Sequence, residues 1–364
     1  MTSLDSKSQG RRTFLKAIPF LAGGALSSAA LLWITKPQTK PGLRRFNFAA
    51  SFKGDLYYPA IVADQEGFYR DEKQAVEINY GFGGGDSLRL VAAGRIPLNC
   101  AEAGEPIALA HGKGANVSLI CTYMAGESNC LVAQPAIKSY KDLPNGEILL
   151  GVSNPFASST VSALIMLMKA GVPRQRITPV SVGSSSGRYA AVLARKVHVA
   201  AVDLAFAVRA PLDGLNVLGK AADVSYPTVF ISHSVNNDWV NRNKQNFDLA
   251  VRNTTATLRG LHWGFANKDK MIKWLEDVAQ VPARVAPEYY EIAFESARPV
   301  FSSDGKLLPQ AWENTFKELE FSQEMKPPFP TPSDLQRDDI YDAAVKRLRE
   351  VYRIELTPSK ADAV

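Results

Sequence analysis

The 364-residue sequence contains few of the residues on which reactive or cross-linked proteins depend, with three cysteines and four histidines. So few cysteines exclude a small fold held together by disulfides. A hydrophobic share of 46% excludes a disordered chain. Only one uncharged apolar run approaches the length of a membrane span, which excludes a protein with several spans. The length instead predicts about two globular domains of average size.

Positive charge is concentrated at the N-terminus and is not spread over the chain. Residues 1–45 hold eight of the 42 lysines and arginines and one of the 36 acidic residues, so the remainder has 34 basic and 35 acidic side chains. This nearly neutral remainder has no basic face of the kind that binds nucleic acid. We therefore expect no nucleic-acid partner.

The N-terminal segment has the pattern of an export signal, with paired arginines before an uncharged stretch over 17–34. The run Arg11-Arg12-Thr13-Phe14-Leu15-Lys16 resembles a twin-arginine signal, with Gly10 where that signal usually has Ser or Thr. We expect residues 1–36 to be such a signal, recognised by the twin-arginine export machinery, and 37–45 to be a linker. An uncleaved membrane anchor is the alternative, because about 18 apolar residues just span a bilayer.

The cysteines are compatible with two arrangements. Cys121 and Cys130 are close enough in sequence to pair in an oxidising compartment. Three buried free thiols, which include Cys100, are the alternative. The spacing, with no histidine nearby, is not that of a metal site, and we expect neither a metal nor a cofactor.

The rest of the chain shows two successive β-α-β-α-β patterns of short apolar strands, helices and glycine-containing turns, over 46–101 and 147–202. Such connections are right-handed and imply largely parallel strands. Beyond residue 236 the sequence is helical, with helices predicted over 238–267, 268–280, 287–297, 309–322 and 336–352. The predicted fold is α/β, with two lobes that each contain a mostly parallel sheet flanked by helices, followed by extra C-terminal helices.

Several motifs together resemble the nitrate/sulfonate/taurine/bicarbonate (NMT1/THI5-like) family of periplasmic substrate-binding proteins. They are the stretch over 58–69, Val76-Glu77-Ile78, Gly83-Gly84-Gly85-Asp86, the stretch over 90–98 and the run over 197–203. Pro97 and Leu98 stand where the family usually has Ile and Asp.

The resemblance implies the two-lobed type II periplasmic-binding-protein fold. Lobe 1 would consist of residues 46–137 and 233–325, lobe 2 of residues 138–232, and a C-terminal extension of residues 326–364. Two such lobes close on a small, often anionic solute. The resemblance further implies a periplasmic protein that delivers this solute to an ABC permease and ATPase complex. No heptad or exposed apolar face is evident, so we expect a monomer.

Ligand-binding residues are expected at the carboxyl ends of the strands, where open α/β sheets bind ligands. A glycine-rich or hydroxyl-rich segment that begins a helix offers an anion free N–H groups and a positive dipole end. Gly84, Gly85 and Asp86 form one such segment, and Ser158 and Ser159 form another. The other candidates lie near strand ends or helix starts: Lys53, Asp55, Tyr57, Glu102, Ala103, Gly104, Phe156, Arg188 and Asp203.

Each of these residues also has a purely structural interpretation. Gly83–Gly85 is also typical of a plain tight turn, Ser158 and Ser159 of ordinary N-caps, and Arg188 of a solvated surface arginine. Glu102 is an awkward neighbour for an anion, and its carboxylate instead suits an amine or hydroxyl of the solute.

An enzyme is the alternative function. Gly183-Ser184-Ser185-Ser186-Gly187 matches the Gly-x-Ser-x-Gly nucleophile elbow between a predicted strand and a predicted helix. Asp203, His233 and His262 follow in the order of a serine esterase-type hydrolase that would use Ser185. The match consists only of glycine and serine, which are typical of any turn, so a binding protein that is not an enzyme is our main prediction. A binding protein that senses its solute without transporting it is a third possibility.

Overall fold

The computed structural model describes residues 42–82, 85–154 and 157–363. Within them the chain from residue 42 onward belongs to one compact unit, Lys40–Val364. The predicted export signal lies outside the described residues, as do Gly84 and Phe156. No helix in the described part of the chain is both long enough and apolar enough to cross a membrane.

The strands are short and mostly buried, as the apolar runs of the sequence predict. They are β1 (Arg44–Ala50), β2 (Gln74–Tyr80), β3 (Leu98–Glu102), β4 (Val117–Thr122), β5 (Cys130–Ala133), β6 (Ile148–Val152), β7 (Ile177–Ser181), β8 (Val199–Val202), β9 (Asn216–Lys220) and β10 (Ser232–Asn236).

Helices separate the strands in the first two thirds of the chain and dominate the last third. They are α1 (Tyr58–Gln65), α2 (Phe68–Asp71), α3 (Asp86–Ala92), α4 (Gly104–His111), α5 (Ser158–Lys169), α6 (Ser185–Leu193), α7 (Leu204–Arg209), α8 (Ala221–Val224), α9 (Asn237–Val240), α10 (Lys244–Ala266), α11 (Lys268–Asp277), α12 (Ala286–Tyr290), α13 (Pro309–Phe321), α14 (Pro332–Leu335) and α15 (Asp338–Arg347). The π-helical turns Glu291–Glu295 and Leu348–Tyr352 extend α12 and α15.

The strands form three hydrogen-bonded groups, and two of these lie side by side as one layer, which we call the N-terminal sheet. Hydrogen bonds link β1-β2, β3-β10-β4 and β7-β6-β8-β5-β9. β1 also packs beside β3, where the Asn99 side chain accepts the Ala49 N–H at 2.8 Å and donates to the Ala49 carbonyl at 3.1 Å. The N-terminal sheet is therefore β2-β1-β3-β10-β4, and the central sheet, β7-β6-β8-β5-β9, repeats its order.

Both sheets are mixed. β1-β2, β6-β7 and β6-β8 are parallel pairs, as the β-α-β patterns predict. β5 and β10 pair antiparallel with both of their neighbours. β5 is the first strand after the chain leaves the N-terminal sheet for the central sheet. β10 is the first strand after the chain comes back to the N-terminal sheet. The predicted α/β class, with sheets flanked by helices, is confirmed, and these two strands add antiparallel pairing that local sequence patterns do not reveal.

The long helix α10 fixes the C-terminal helices to the N-terminal sheet. A side chain at Gly260 would place its Cβ 2.0 Å from the Pro59 carbonyl oxygen, so α10 and α1 touch backbone to backbone. The single helix predicted over 238–267 is divided into α9 and α10. The division falls there because the Asn243 side chain accepts the Asn246 N–H at 2.8 Å and caps α10.

The C-terminal segment is held to the same sheet by a buried ion pair. The carboxylate of Glu72 lies between α2 and β2 with none of its side chain exposed. Arg347 donates to both of its oxygens, at 2.9 and 2.8 Å, and the Tyr352 hydroxyl donates at 2.6 Å. A bidentate pair of this kind fixes the orientation of α15.

Candidate functional site

Asp55 lies beyond the carboxyl end of β1 and is 1% exposed. The Tyr289 hydroxyl donates a hydrogen bond of 2.5 Å to its Oδ2 atom. Burial raises the pKa of Asp55 to about 6, and the nearby charge of Asp203 adds to this effect. Asp203 directly follows β8 and is the N-cap of α7, so its effect on Asp55 is consistent with the ends of β1 and β8 lying near each other.

Arg188 lies in the first turn of α6 and is 4% exposed. Its Nη1 donates to the Gly183 carbonyl at 2.6 Å, and its Nε donates to the Ala201 carbonyl. Burial lowers the pKa of Arg188, and the charge of Asp203 acts in the opposite direction. The interpretation as a solvated surface arginine is therefore wrong, because two backbone carbonyls hold the guanidinium inside.

Asp203 is the residue that connects these groups. Burial raises the pKa of its carboxyl, while the charge of Arg188 and a hydrogen bond with Ser185 lower it. Its charge also raises the pKa of Tyr57, after the larger effect of burial on that phenol. We name Asp55, Tyr57, Arg188, Asp203 and Tyr289 the inter-sheet site. Four of these five residues are predicted from the sequence.

The hydrolase residues have other partners. Ser185 is buried, and its Oγ accepts the backbone N–H of Asp203 at 2.9 Å. His233 lies in β10, where its Nδ1 is 3.0 Å from the Tyr123 hydroxyl, and burial lowers its pKa to about 3. His262 is on α10. Ser185 thus shapes the loop of Asp203, and its hydroxyl makes no hydrogen bond with His233.

Ser158 and Ser159 are buried at the start of α5. Ala157 is the N-cap, so the interpretation of these serines as N-caps is wrong. The Ser159 Oγ is 3.0 Å from the Ser153 Oγ. Ser158 instead makes a hydrogen bond that lowers the pKa of Glu105. The start of α5 therefore interacts with Glu105, a carboxylate of the chain itself.

The other predicted anion-binding helix start, that of α3, also has an acidic residue of the chain in its first turn. Gly85 precedes α3 with a φ of 92°, a conformation that favours glycine. Asp86, the first residue of α3, forms an ion pair with Arg89. Lys53 is exposed.

Glu102, Ala103 and Gly104 lie where β3 ends and α4 begins. The Asn99 Nδ2 donates to the buried carboxylate of Glu102 at 2.8 Å, and burial raises the pKa of Glu102 to about 7. A Cβ on Gly104 would lie 2.7 Å from the Val229 Cβ, so glycine is required for this close approach. These residues position the segment that returns from the central sheet, and Glu102 remains a predicted ligand contact.

Four buried polar residues near these strand ends were not predicted. They are Glu105, Glu127, Tyr289 and Glu318. Glu105 directly follows the candidate residue Gly104, and Glu127 lies in a polar run between β4 and β5, so both left a local signal. Tyr289 is 234 residues from its partner Asp55, and no local pattern reveals a contact of that separation.

The arrangement of the histidine, cysteine, aspartate and glutamate side chains bears on metal binding and on disulfide bonds. Among the residues that the structure describes, no group of three or more His, Cys, Asp or Glu side chains is placed to hold a metal ion. Cys100, Cys121 and Cys130 are free and buried, which is the second of the two predicted arrangements. Burial raises the pKa of all three thiols.

Residues 57–270 match the family model described as NMT1/THI5 like. A search of curated proteins finds no match. Among solved structures, the periplasmic nitrate-binding protein NrtA of Synechocystis PCC 6803 is similar, with 12% identity and a TM-score of 0.66, over 88% of this chain and 93% of NrtA.

Two further solved structures share the fold. The periplasmic aliphatic sulphonate binding protein SsuA of Escherichia coli has 15% identity and a TM-score of 0.60, over 81% of this chain and 92% of SsuA. The desulfurization enzyme DSZB has 13% identity and a TM-score of 0.59, over 84% of this chain and 100% of DSZB. Identities this low establish a common fold.

Proposed function

This chain belongs to the NMT1/THI5-like family, and on that premise we propose that it is the solute-binding protein of an ABC importer. It holds a small solute between two lobes and delivers it to the permease and ATPase. The observation that carries the proposal is the inter-sheet site. Buried charged groups from the strand ends of two similar sheets influence one another's pKa values there, and such groups of shifted pKa values are typical of functional sites.

The lobes follow the sheets. The predicted bounds give residues 46–137 and 233–325 to lobe 1, with the N-terminal sheet, and residues 138–232 to lobe 2, with the central sheet. Because β5 (Cys130–Ala133) pairs with β8 and β9, we move the first boundary to before β5 and assign this strand to lobe 2. Residues 326–364 are the C-terminal extension. The chain crosses twice between the sheets, before β5 and before β10, so these crossings supply the hinge on which the lobes close.

The charged groups of the inter-sheet site indicate which functional groups the solute has. Arg188 is a buried cation, and it suits an anionic group such as a carboxylate or sulfonate. Asp55, Asp203 and Glu102 accept hydrogen bonds, and they suit N–H or O–H groups. The solute is therefore a small polar molecule with an anionic group and several donors.

The location and partners follow from the family and the leader. NrtA and SsuA are periplasmic proteins by name, and we propose the same compartment for this chain. Export uses the twin-arginine machinery through residues 1–36. The mature protein is a monomer and needs no metal or cofactor.

A thermal-shift screen tests the proposal. The probes are nitrate, alkanesulfonates, taurine, aromatic acids and pyrimidines. We expect at least one to raise the midpoint of unfolding, because a ligand that binds only the folded state stabilises it. The variant Arg188→Ala should lose this shift, and a panel without any shift would contradict the proposal.

The hydrolase has one observation in its favour, which is that the enzyme DSZB shares the fold. Labelling by a fluorophosphonate probe separates the two functions. The hydrogen bond from the Asp203 amide to the Ser185 Oγ predicts no labelling. Labelling that disappears in Ser185→Ala would establish the hydrolase instead.

Transport and sensing are separated by the genes beside this one. Neighbouring genes for a permease and an ATPase would support transport, and their absence would favour sensing.

A further inference from the structure

Three buried glutamates from distant parts of the chain lie together beside the inter-sheet site. Glu105 is in the first turn of α4, Glu127 is in the crossing segment before β5, and Glu318 is on α13. The charge of Glu318 raises the pKa of Glu105, and both charges raise that of Glu127, in each case after the larger effect of burial. We call these three residues the acidic cluster.

The cluster has acceptors without donors. Both carboxylate oxygens of Glu127, one each of Glu105 and Glu318, and the Oδ1 of Asn129 accept no hydrogen bond. The side chains of Ser162 and Asn129, the latter 1% exposed, approach Glu127 and lower its pKa as hydrogen-bonding neighbours, but neither meets a carboxylate oxygen of Glu127 at hydrogen-bond geometry. Unpartnered buried acceptors are rare in folded proteins because each is costly, so this group of atoms indicates that a donor is missing.

The chain supplies two lysines here, and one of them, Lys220, is the register partner of Cys130 on β9 and lowers the pKa of the Cys130 thiol. Lys169 lowers the pKa of Glu318, but its Nζ donates to the Val224 carbonyl at 2.7 Å in an exposed position. Ser158 and Ser225 are uncharged hydrogen-bond partners of Glu105 and Glu318. Buried carboxylates without a counter-charge must either bind protons or meet a cation.

The cluster adjoins the inter-sheet site through the crossing segment. Cys130 is the register partner of Val202 on the antiparallel strand β8, so Asn129 and Asp203 are the next residues beyond this pair. Burial raises the pKa of the Cys130 thiol, and the charges of both Asp203 and Glu127 add to that effect. Asn129 therefore links the acidic cluster to Asp203 of the inter-sheet site.

We propose that the acidic cluster binds a nitrogen cation of the solute, an ammonium, amidinium or guanidinium group, whose N–H groups donate to the free oxygens of Glu105, Glu127, Asn129 and Glu318. A guanidinium has five donors, which equals the number of free acceptors, and an ammonium with three donors would satisfy three of them. This inference rests on the proposed function. It makes the solute a zwitterion, with its anionic group on Arg188 and its cation on the cluster.

Paired probes test this inference on the full chain. Each pair keeps the acid and exchanges an ammonium for a methyl group of similar size: taurine and propane-1-sulfonate, 3-aminopropanoate and butanoate, 4-(aminomethyl)benzoate and 4-ethylbenzoate. Calorimetry at neutral pH measures the affinities. We expect the amine of at least one pair to bind at least about tenfold more tightly than its methyl partner, since hydrogen bonds between charged groups are involved.

The variant Glu127→Gln keeps the size of the side chain and removes its charge. We expect it to weaken the amine by about tenfold, to leave the methyl partner unchanged, and to keep or raise the stability of the ligand-free protein. Glu318→Gln should behave in the same way and replaces the first variant if that variant fails to fold. Glu320→Gln, an exposed position on the same helix, is the matched control and should change neither affinity.

The remaining outcomes are decisive. If both members of a pair bind equally and Glu127→Gln changes neither, the inference is wrong and the proposed function stands. Stabilisation of the wild type by a divalent metal ion alone, lost in Glu127→Gln, would also overturn it. If no probe binds at all, the proposed function and the inference fail together.

Discussion

At the scale of single residues, the site is defined by burial of charge. Arg188, Asp55 and Asp203 look like ordinary loop residues in the sequence, and their positions after predicted strands were enough to select them. Their burial was not predictable, because it depends on side chains such as Tyr289 that reach them from the last third of the chain. The same reason hid Glu318, whereas the adjacent Gly104 could have drawn attention to Glu105.

The raised pKa of Asp55 predicts a dependence of stability on pH. The folded pKa of about 6 lies above the ordinary value of 3.8. The contribution of Asp55 to stability is therefore complete below the unfolded pKa and is lost as the pH rises through the folded pKa. Between pH 4 and pH 7 the wild type should lose about 2 kcal/mol more unfolding free energy than Asp55→Asn, since one pKa unit is about 1.4 kcal/mol.

Urea unfolding at both pH values measures this difference. Glu66→Gln, at an exposed position, is the control and should keep the pH dependence of the wild type. Equal losses in the wild type and Asp55→Asn would show that the Asp55 carboxyl is not buried in solution.

At the scale of helices and strands, the glycine contact between α10 and α1 and the ion pair of Glu72 fix the C-terminal helices. The helices over 268–280, 309–322 and 336–352 were predicted well from their apolar periodicity. The division before α10 was missed, because a short polar segment can continue or end a helix and only the hydrogen bond of Asn243 decides. The antiparallel strands β5 and β10 were likewise hidden, since pairing across the chain leaves no local pattern.

The contact between α10 and α1 predicts a large effect of a single methyl group. Gly260→Ala would bring its Cβ against the Pro59 carbonyl, where backbone and not a flexible side chain must move. We expect a loss of about 3 kcal/mol in unfolding free energy, at the upper end for overpacking. Gly112→Ala is the matched control, because the nearest atom to its Cβ is 3.7 Å away and its φ is −59°. Calorimetry measures the unfolding free energy of both variants. Equal values for Gly260→Ala and Gly112→Ala would contradict the close contact between α10 and α1.

The ion pair of Glu72 predicts how the C-terminal segment is held. Arg347→Ala leaves a fully buried carboxylate with only the Tyr352 hydroxyl as a partner. Loss of one partner of a buried pair costs about 3 kcal/mol, and we expect that decrease together with easier proteolysis after residue 337.

Arg349→Ala is the control, because Arg349 and Glu355 form an exposed pair. Exposed pairs contribute little, so its unfolding should match that of the wild type. A similar effect of both variants would show that the segment is not held by Glu72.

At the scale of the whole molecule, the two sheets have the same strand order, and the chain passes between them twice. The repeated β-α-β-α-β patterns allowed this duplication to be predicted, because glycine turns separate apolar runs of similar length in both. The pairing of the strand that each sheet receives after a crossing, β5 or β10, was not predicted, because it depends on contacts across the chain. The arrangement of charges at the inter-sheet site was the least predictable feature, since it arises from residues that the fold brings together.

The central claim is that a solute closes two lobes around the inter-sheet site. Fluorophores on Glu66→Cys and Lys196→Cys, exposed positions on the two lobes, report the distance between them by energy transfer. The three native cysteines are buried, and their raised thiol pKa values disfavour labelling.

The decisive measurement is this distance before and after addition of a solute identified by thermal shift. We predict a shorter distance in the wild type and no change when Arg188→Ala is added. A solute that binds without changing the distance, or that shortens it equally in the Arg188→Ala background, would contradict the account.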